Sequence, residues 1–354
     1  MRAVVLRQFG GPEVLRVGEA ILPSPTEDQV LVRVSACGVC GHDLLARAGA
    51  FRTPMPIVLG HEISGVVTQI GDHVSGLREG QRVALVQRIP CGTCSLCRRG
   101  ATNLCRSGVG FYGEDLNGGY SEYVVASERN AVALPATISD EVGATLSCAI
   151  GTGLRALRRA DLNPGDLVIV TGAGGGVGLN TVKLAAAFGL VVLAVSGSVQ
   201  KKEALLVAGA AEVVSPGSPE KLRQVAKSLS ESRGAEAVIE IAGPPTFSAS
   251  LAALAPGGRL VLVGNTDPRP VKVNPGAVIV RELQIVGSAH ATRSDLEDVI
   301  ALIARGKISP TVGEVRPLEE AAELHRSMEA HEVTGRAVLL IRGRESAREA
   351  GEQP

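Results

Sequence analysis

The chain of 354 residues has no tryptophan, three tyrosines and five phenylalanines, so aromatics make up only 2% of it although hydrophobic residues reach 45%. Its cores must be built from Val, Leu, Ile and Ala, as in α/β domains with buried parallel strands. Charge of one sign is also missing: Lys+Arg and Asp+Glu both number 36. A net charge of zero supplies no field to recruit nucleic acid or an anionic membrane, so neither is expected as a partner. No apolar run reaches the roughly 18 residues of a transmembrane helix; the closest, Leu184 to Val195, fits a helix end running into a buried strand. The N-terminal residues lack the long apolar stretch of an export signal, and a soluble cytoplasmic protein with reduced thiols is expected.

Against this plain background, four of the seven cysteines crowd into one stretch. Cys91, Cys94, Cys97 and Cys105 are spaced C-x2-C-x2-C-x7-C. Four thiolates on such short spacings wrap one tetrahedral zinc ion in a closed, structural site. A soft all-sulfur set also favours zinc over magnesium or calcium. Iron–sulfur clusters use different spacings, and disulfides are not expected in a chain that reads as having no export signal. A closed site holds part of a protein together and leaves the function to be found elsewhere.

The length suggests two domains. Residues 1 to about 135 carry short β patterns punctuated by Gly and Pro: Ala3 to Leu6, Val30 to Val34, Ile63 to Gln69, Arg82 to Val86 and Tyr120 to Val125. They predict an irregular, mostly antiparallel β domain with the cysteine lobe as an excursion. Ser139 opens a helix through Arg159, with acidic residues in its first turn. From Leu167 strands and helices alternate, through Val191 to Val195, Glu212 to Val214, Ala237 to Ile241 and Leu260 to Val263, which predicts a parallel sheet covered on both faces. Two helices, Arg293 to Arg305 and Leu318 to Met328, and a last strand, Ala337 to Ile341, follow. Glu345 to Pro354 reads as a polar tail.

The first strand of the alternating part runs into Thr171-Gly-Ala-Gly-Gly-Gly-Val-Gly178. Glycines at 172, 174, 175, 176 and 178 let a backbone turn tightly and approach a pyrophosphate, and the helix that follows presents N–H groups and a positive dipole end. Val177 sits among them. The acidic residue that would bind a ribose 2′-hydroxyl is absent; Ser196 lies there, followed by Lys201 and Lys202. Small neutral residues with nearby lysines admit a 2′-phosphate, which favours NADP(H) and leaves NAD(H) possible.

Three further pieces lie far apart: Cys37-Gly-Val-Cys40-Gly-His42-Asp43, Gly60-His61-Glu62 and Ser147-Cys148. Each alone is ordinary, and a Cys-x-x-Cys pair is also a redox motif. Together they offer a thiolate, an imidazole and a second thiolate, the donor set of a catalytic zinc with an open fourth position. Asp43 and Glu62 would orient His61 or adjust the metal's charge.

On these residues, with Gly151-Thr152-Gly153 and Val263-Gly264-Asn265, the sequence resembles the zinc-containing medium-chain dehydrogenase/reductase family of the alcohol dehydrogenase type, over essentially its full length. The resemblance implies a GroES-like, mostly β catalytic domain formed by residues 1–150 and 289–354, with a structural zinc lobe at 90–106, and a Rossmann domain with a doubly wound parallel sheet at 151–288. It implies two zinc ions per subunit. Cys40, His61 and Cys148, with Glu62 beside them, would hold the catalytic one, and the four lobe cysteines the structural one. Thr152, Val177, Gly264 and Asn265 would line the nicotinamide side, and Arg336 would reach the pyrophosphate. Cys37 matches no ligand position. Where the family usually carries Ser or Thr at the head of a proton relay this chain has His42, and Leu45 replaces the relay's terminal His.

The implied activity is hydride transfer between NAD(P)(H) and a small alcohol or carbonyl substrate, in a homodimer or homotetramer. The glycine loop, one residue longer than the usual form, and the stretches 263–267 and 285–292 resemble the quinone and acryloyl-CoA reductase branches. They raise an alternative: NADPH-dependent reduction of an enoyl thioester or quinone. A non-catalytic nucleotide sensor would be expected to lose part of the ligand set, and here it is complete.

Overall fold

Gln29–Val39, a strand of 11 residues, is the spine of the first structural unit. Its β-branched Val30, Val32 and Val34 are wholly buried, as expected where branched side chains pack on a pleated surface. It pairs antiparallel with Glu62–Ile70 along one edge, and with Tyr123–Ser127 and Arg336–Leu340 along the other. The sheet runs Ala131–Ala133, Arg82–Leu85, Glu62–Ile70, Gln29–Val39, Arg336–Leu340, Val312–Pro317. The last two strands are parallel to each other. Val312–Pro317 was not foreseen from sequence: it is an edge strand with no fully buried residue, so it carries no hydrophobic alternation.

The computed structural model describes residues 1–264, 267 and 269–341. Asn265 and the tail Glu345 to Pro354 lie outside them. The chain divides into one unit of Met1–Gly151, His290–Arg305 and Val312 onward, and a second of Thr152–Ala289 and Gly306–Thr311. Among the described residues no helix is long and apolar enough to cross a membrane.

Ser139 caps the next helix, its Oγ accepting the Val142 N–H at 3.3 Å. The helix is not uniform as expected. Asp140–Thr145 is α-helical, Leu146–Ile150 is a π turn, and Gly151–Ala160 is α-helical again. A π turn has no residue signature, and it often marks a functional position.

In the second unit six parallel strands run Glu212–Val214, Val191–Val195, Leu167–Val170, Ala235–Glu240, Leu254–Leu262, Gln284–Gly287. Counted within the unit this is the order 3-2-1-4-5-6 of a doubly wound dinucleotide fold, with the reversal between Leu167–Val170 and Ala235–Glu240. Leu167–Val170 is buried along its whole length, which accounts for its unbroken apolar run. The helix expected from Lys201 begins as a single 3₁₀ turn, Val199–Lys201, and becomes α-helical at Lys202–Val207.

Candidate active site

Cys40 stands at the end of the spine strand and caps the short helix Gly41–Arg47. Across the sheet Gly38 pairs with Glu62, which brings His61 and Glu62 beside it. The turn into His61 needs Gly60: its φ is +95°, and a Cβ there would fall 2.5 Å from the Tyr120 ring. Cys148 arrives from the π turn. One ligand atom from each of Cys40, His61, Glu62 and Cys148 lies within 4.8 Å of every other.

Asp43 ties two of these groups together. Its Oδ2 accepts the Cys40 N–H at 2.8 Å, and its Oδ1 lies 3.1 Å from His61 Nδ1. With the Nδ1 proton donated to Asp43, His61 offers Nε2 as a lone-pair donor. Burial disfavours the Asp43 carboxylate, but the imidazole outweighs it and holds the group below its ordinary range. The Cys40 and Cys148 sulfurs are 3.9 Å apart. Their contact pulls the Cys40 thiol below its usual value and pushes Cys148 above it. Burial raises Glu62 to about 8, and neither carboxylate oxygen has a hydrogen-bond partner. Arg336 pairs with Glu62 in charge without a well-aligned hydrogen bond, and two thiols and an imidazole beside them are a donor set that fits a zinc ion. The sulfur separation passes a direct test: two corners of a tetrahedron with ~2.3 Å zinc–sulfur bonds lie about 3.8 Å apart.

The lobe passes the same test. Cys91 lies 3.8 Å from Cys97 and 3.6 Å from Cys105, and Cys94 lies 4.0 Å from Cys105. Backbone N–H groups point at the sulfurs, from Cys94 to Cys91 at 3.3 Å, Cys97 to Cys94 at 3.5 Å and Cys91 to Cys105 at 3.3 Å. The Cys94 N–H above all lowers Cys91 to about 5, while burial raises Cys97 to about 12. Cys37, by contrast, is enclosed beneath the Gly60–Glu62 turn, hydrogen-bonded to the Gly38 carbonyl, and belongs to neither group of converging ligand atoms.

Arg336, expected at a pyrophosphate, is 3% exposed and lies within the first cluster. Its Nε is 3.2 Å from Glu62 Oε2 and its Nη1 donates to the Val39 carbonyl at 3.1 Å. His42 follows Cys40 by two residues, in the first turn of the helix Gly41–Arg47. Its Nε2 makes a close but bent contact of 2.7 Å with Glu114 Oε1. That imidazole holds the Glu114 carboxyl below its ordinary range. His42 also stacks on Phe51 with centroids 4.6 Å apart and a 19° tilt, and meets the edge of His61 at 5.2 Å. Phe111 touches His42, His61 and His290. Glu114 carried no sequence signal, and His290 only lay in the stretch 285–292 that resembles the reductase branches; the fold brings both here.

In the second unit Gly172 takes φ +58° and Gly178 has no room for a side chain: a Cβ would fall 2.3 Å from the Gly172 carbonyl. Gly175 precedes the helix Gly176–Ala187, and Val177 is half-buried in its first turn. Ser196 and Lys201 both pack at Gly174, where a Cβ would meet them at 3.2 and 2.6 Å. Lys201 is 8% exposed, and burial lowers its ammonium pKa, whereas Lys202 is solvated near Glu212. Thr152 is buried with no partner on Oγ1, and Gly264 closes on the Ile241 carbonyl. Sequence reasoning missed Glu240, a wholly buried carboxylate at the switch point. It accepts from Thr171 Oγ1 at 2.6 Å, Thr246 Oγ1 at 2.7 Å, the Gly243 N–H at 2.9 Å and Ser250 Oγ at 2.5 Å.

A unit with a dinucleotide-binding sheet and a unit with two zinc-competent cysteine clusters define, as a class, an NAD(P)-linked oxidoreductase. The alcohol dehydrogenase GroES-like domain model matches residues 26–136, and the zinc-binding dehydrogenase model matches residues 176–305. The chain belongs to the zinc-containing medium-chain dehydrogenase/reductase family. It is 36% identical to the acryloyl-coenzyme A reductase of Metallosphaera sedula, over 96% of this chain and 99% of that one. It is 33% identical to the NAD-dependent alcohol dehydrogenase of Saccharolobus solfataricus, over 96% and 100%. The crystal structure of AibC is similar with a TM-score of 0.89 and 41% identity, covering 96% of this chain and 95% of that one.

Proposed function

We propose that this oxidoreductase moves hydride between NADP(H) and an alcohol or carbonyl compound at the cluster of Cys40, His61 and Cys148. The observation that carries this reading is the meeting of two thiols, an imidazole and a carboxylate within 4.8 Å, with Asp43 fixing two of them. A zinc ion held there would supply Lewis acidity to the substrate oxygen, and the nicotinamide ring the hydride chemistry.

The chain's own residues do the rest. Cys40, His61 and Cys148 are the ligands, with Glu62 in reserve and Arg336 balancing its charge. His42 would relay a proton through its ring, taking it up on Nδ1 and releasing the one on Nε2 to Glu114, which is 29% exposed to water. Cys91, Cys94, Cys97 and Cys105 hold a second, structural zinc. Gly172 to Gly178, including Val177, receive the pyrophosphate at a helix N-terminus. Thr152, Gly264 and Asn265 serve the nicotinamide, and Ser196 with Lys201 the 2′-phosphate. The exposed edge strand Gln284–Gly287 supports a homodimer or homotetramer, and seven free thiols support a cytoplasmic setting.

The likeness to an acryloyl-coenzyme A reductase favours a second reading, NADPH-dependent reduction of a conjugated thioester. NADPH oxidation with a panel of aldehydes against acryloyl- and crotonyl-coenzyme A separates the two. We expect aldehyde turnover that chelation abolishes. A Cys148→Ala protein reducing aldehydes at the parental rate would refute the metal-site reading.

A further inference from the structure

At the end of the parallel sheet opposite the glycine loop, the second unit opens into a cleft of about 910 Å³. Asp166 and Gly234 line it, each one residue ahead of its strand, whereas the glycine loop follows the other end of Leu167–Val170. The volume suits a small molecule, and the place is not where this fold receives its nucleotide. Five cations line the cleft, Arg223, Lys227, Arg233, Arg259 and Arg281, against three carboxylates, Asp161, Asp166 and Glu236. In a chain whose charges balance at 36 of each sign, this excess is local.

Most of these groups are engaged with one another and with helix ends. Asp166 accepts the Asn163 N–H at 2.7 Å, and Glu236 accepts the Leu167 N–H at 2.8 Å while pairing with Arg233 at 3.2 Å. Arg259 donates to the Arg159 carbonyl at 3.1 Å and pairs with Asp161 at 3.4 Å, Arg233 donates to the Ser230 carbonyl at 3.2 Å, and Arg281 donates to the carbonyls of Leu251 and Leu254. Three guanidinium groups thus sit on carbonyls at the ends of the helices Gly151–Ala160, Pro219–Leu229 and Pro244–Ala253, where the negative end of the dipole favours them. Arg223 and Lys227 are left over. Both are exposed, and neither side chain has a partner among the described residues. They stand four apart on Pro219–Leu229, on one face, where like charges repel. The helix C-terminus accounts for Lys227 alone and gives no reason for a second cation one turn nearer the start. Two lining residues, Asp161 and Ser232, also hold φ of +56° and +70°, a conformation unfavourable to a side chain that recurs at ligand sites.

We propose that this cleft binds a small organic phosphate, with Arg223 and Lys227 receiving the phosphate and the apolar lining of Leu162, Ala252 and Pro256 receiving its carbon body. A doubly charged phosphate offers both cations an acceptor at once, which turns their mutual repulsion into a shared attraction. The site is separate from the glycine loop and does not depend on which substrate the ligand cluster takes.

Hydrogen exchange on the full-length protein, titrated with phenyl phosphate, reads the two ends of the sheet separately: residues 227–234 report on the cleft and residues 172–178 on the glycine loop. Saturable protection is expected at 227–234, with a midpoint of about 1 mM or below, the affinity of a few charge-assisted contacts. Joint Arg223→Gln and Lys227→Gln substitution keeps good helix formers in place. It should raise that midpoint at least about 10-fold, while any midpoint at 172–178 stays within about 2-fold. Phenol, which lacks the charge, should give no protection, and inorganic phosphate, which lacks the carbon body, should need at least about 3-fold more. Circular dichroism checks the fold of the double variant; if it is disturbed, Lys227→Gln alone carries the comparison, with a rise of about 3-fold or more expected. Absence of saturable protection at 227–234, equal protection by phenol, an equal midpoint for inorganic phosphate, or a midpoint unmoved by substitution overturns the site.

Discussion

His325 Nε2 lies 3.0 Å from the Tyr120 hydroxyl, joining residues 205 positions apart. The Tyr120 ring presses on Gly60, the residue before His61, and the same helix, Ala321–Glu329, sends Glu329 to Arg47 on the helix of Asp43. A C-terminal helix thus braces the segments that carry Cys40 and His61.

That bond gives a pH dependence with a definite sign. Burial lowers His325 to about 4, so the folded protein keeps it neutral while the unfolded chain protonates near 6.5. Between those values the unfolded state binds more protons, and stability rises with pH. We expect the His325 contribution to be fully present above pH 6.5 and to be lost as pH falls toward 4, on the order of 3 kcal/mol in all. Urea midpoints from pH 7.5 to 4.5 should fall less steeply in His325→Gln than in the parent.

Cys148→Ser removes a ligand from a rigid turn without opening a core. Turnover should drop at least about 100-fold, as expected when a metal's orientation is lost. Metal analysis should fall from two zinc ions per chain to one, and circular dichroism should stay unchanged.

Cys94→Ser strikes the lobe instead. Losing a closed zinc site removes folding free energy, and a fall in Tm of about 5–10 °C is expected for a chain of this size. Once folded, the remaining protein should keep most of its specific activity.

Cofactor choice is checked at Lys201. Lys201→Ala should weaken NADPH binding about 10-fold or more, the loss of a charge-assisted contact, while NADH binding stays within about 2-fold. Equal losses for both cofactors would remove the case for a 2′-phosphate site.

Glu240→Gln replaces an acceptor of four hydrogen bonds with a group that must donate. A cost of about 2–4 kcal/mol in urea unfolding is expected, with weaker binding of both nicotinamide cofactors because Thr171 opens the glycine loop.

Much of this was legible in the residues because local rules govern it. The unbroken apolar strand Leu167–Val170, the glycine turn behind it and the lobe spacing each follow from short-range geometry. That Cys40, His61, Glu62 and Cys148 converge was legible as chemistry, two thiols and an imidazole suited to a metal. What the sequence concealed depends on long-range placement. The π turn under Cys148 has no composition, Glu114 reaches His42 only through a loop seated on Gly60, and Arg336 meets Glu62 because its strand pairs beside Val39. Val312–Pro317 stayed hidden because an exposed edge needs no apolar pattern.

The pairing of Arg336–Leu340 with Gln29–Val39 has a consequence for the order of assembly during synthesis. The spine strand leaves the ribosome early but keeps part of one edge open until nearly the last residue of the sheet is made, while all six strands of the parallel sheet have already emerged. Vectorial folding therefore finishes the second unit first. The cluster of Cys40, His61, Glu62 and Cys148 meets Arg336 only once that strand has been made, so if these side chains hold a metal as proposed, its loading is expected late, and a chain ending before residue 336 should bind nucleotide but not that metal.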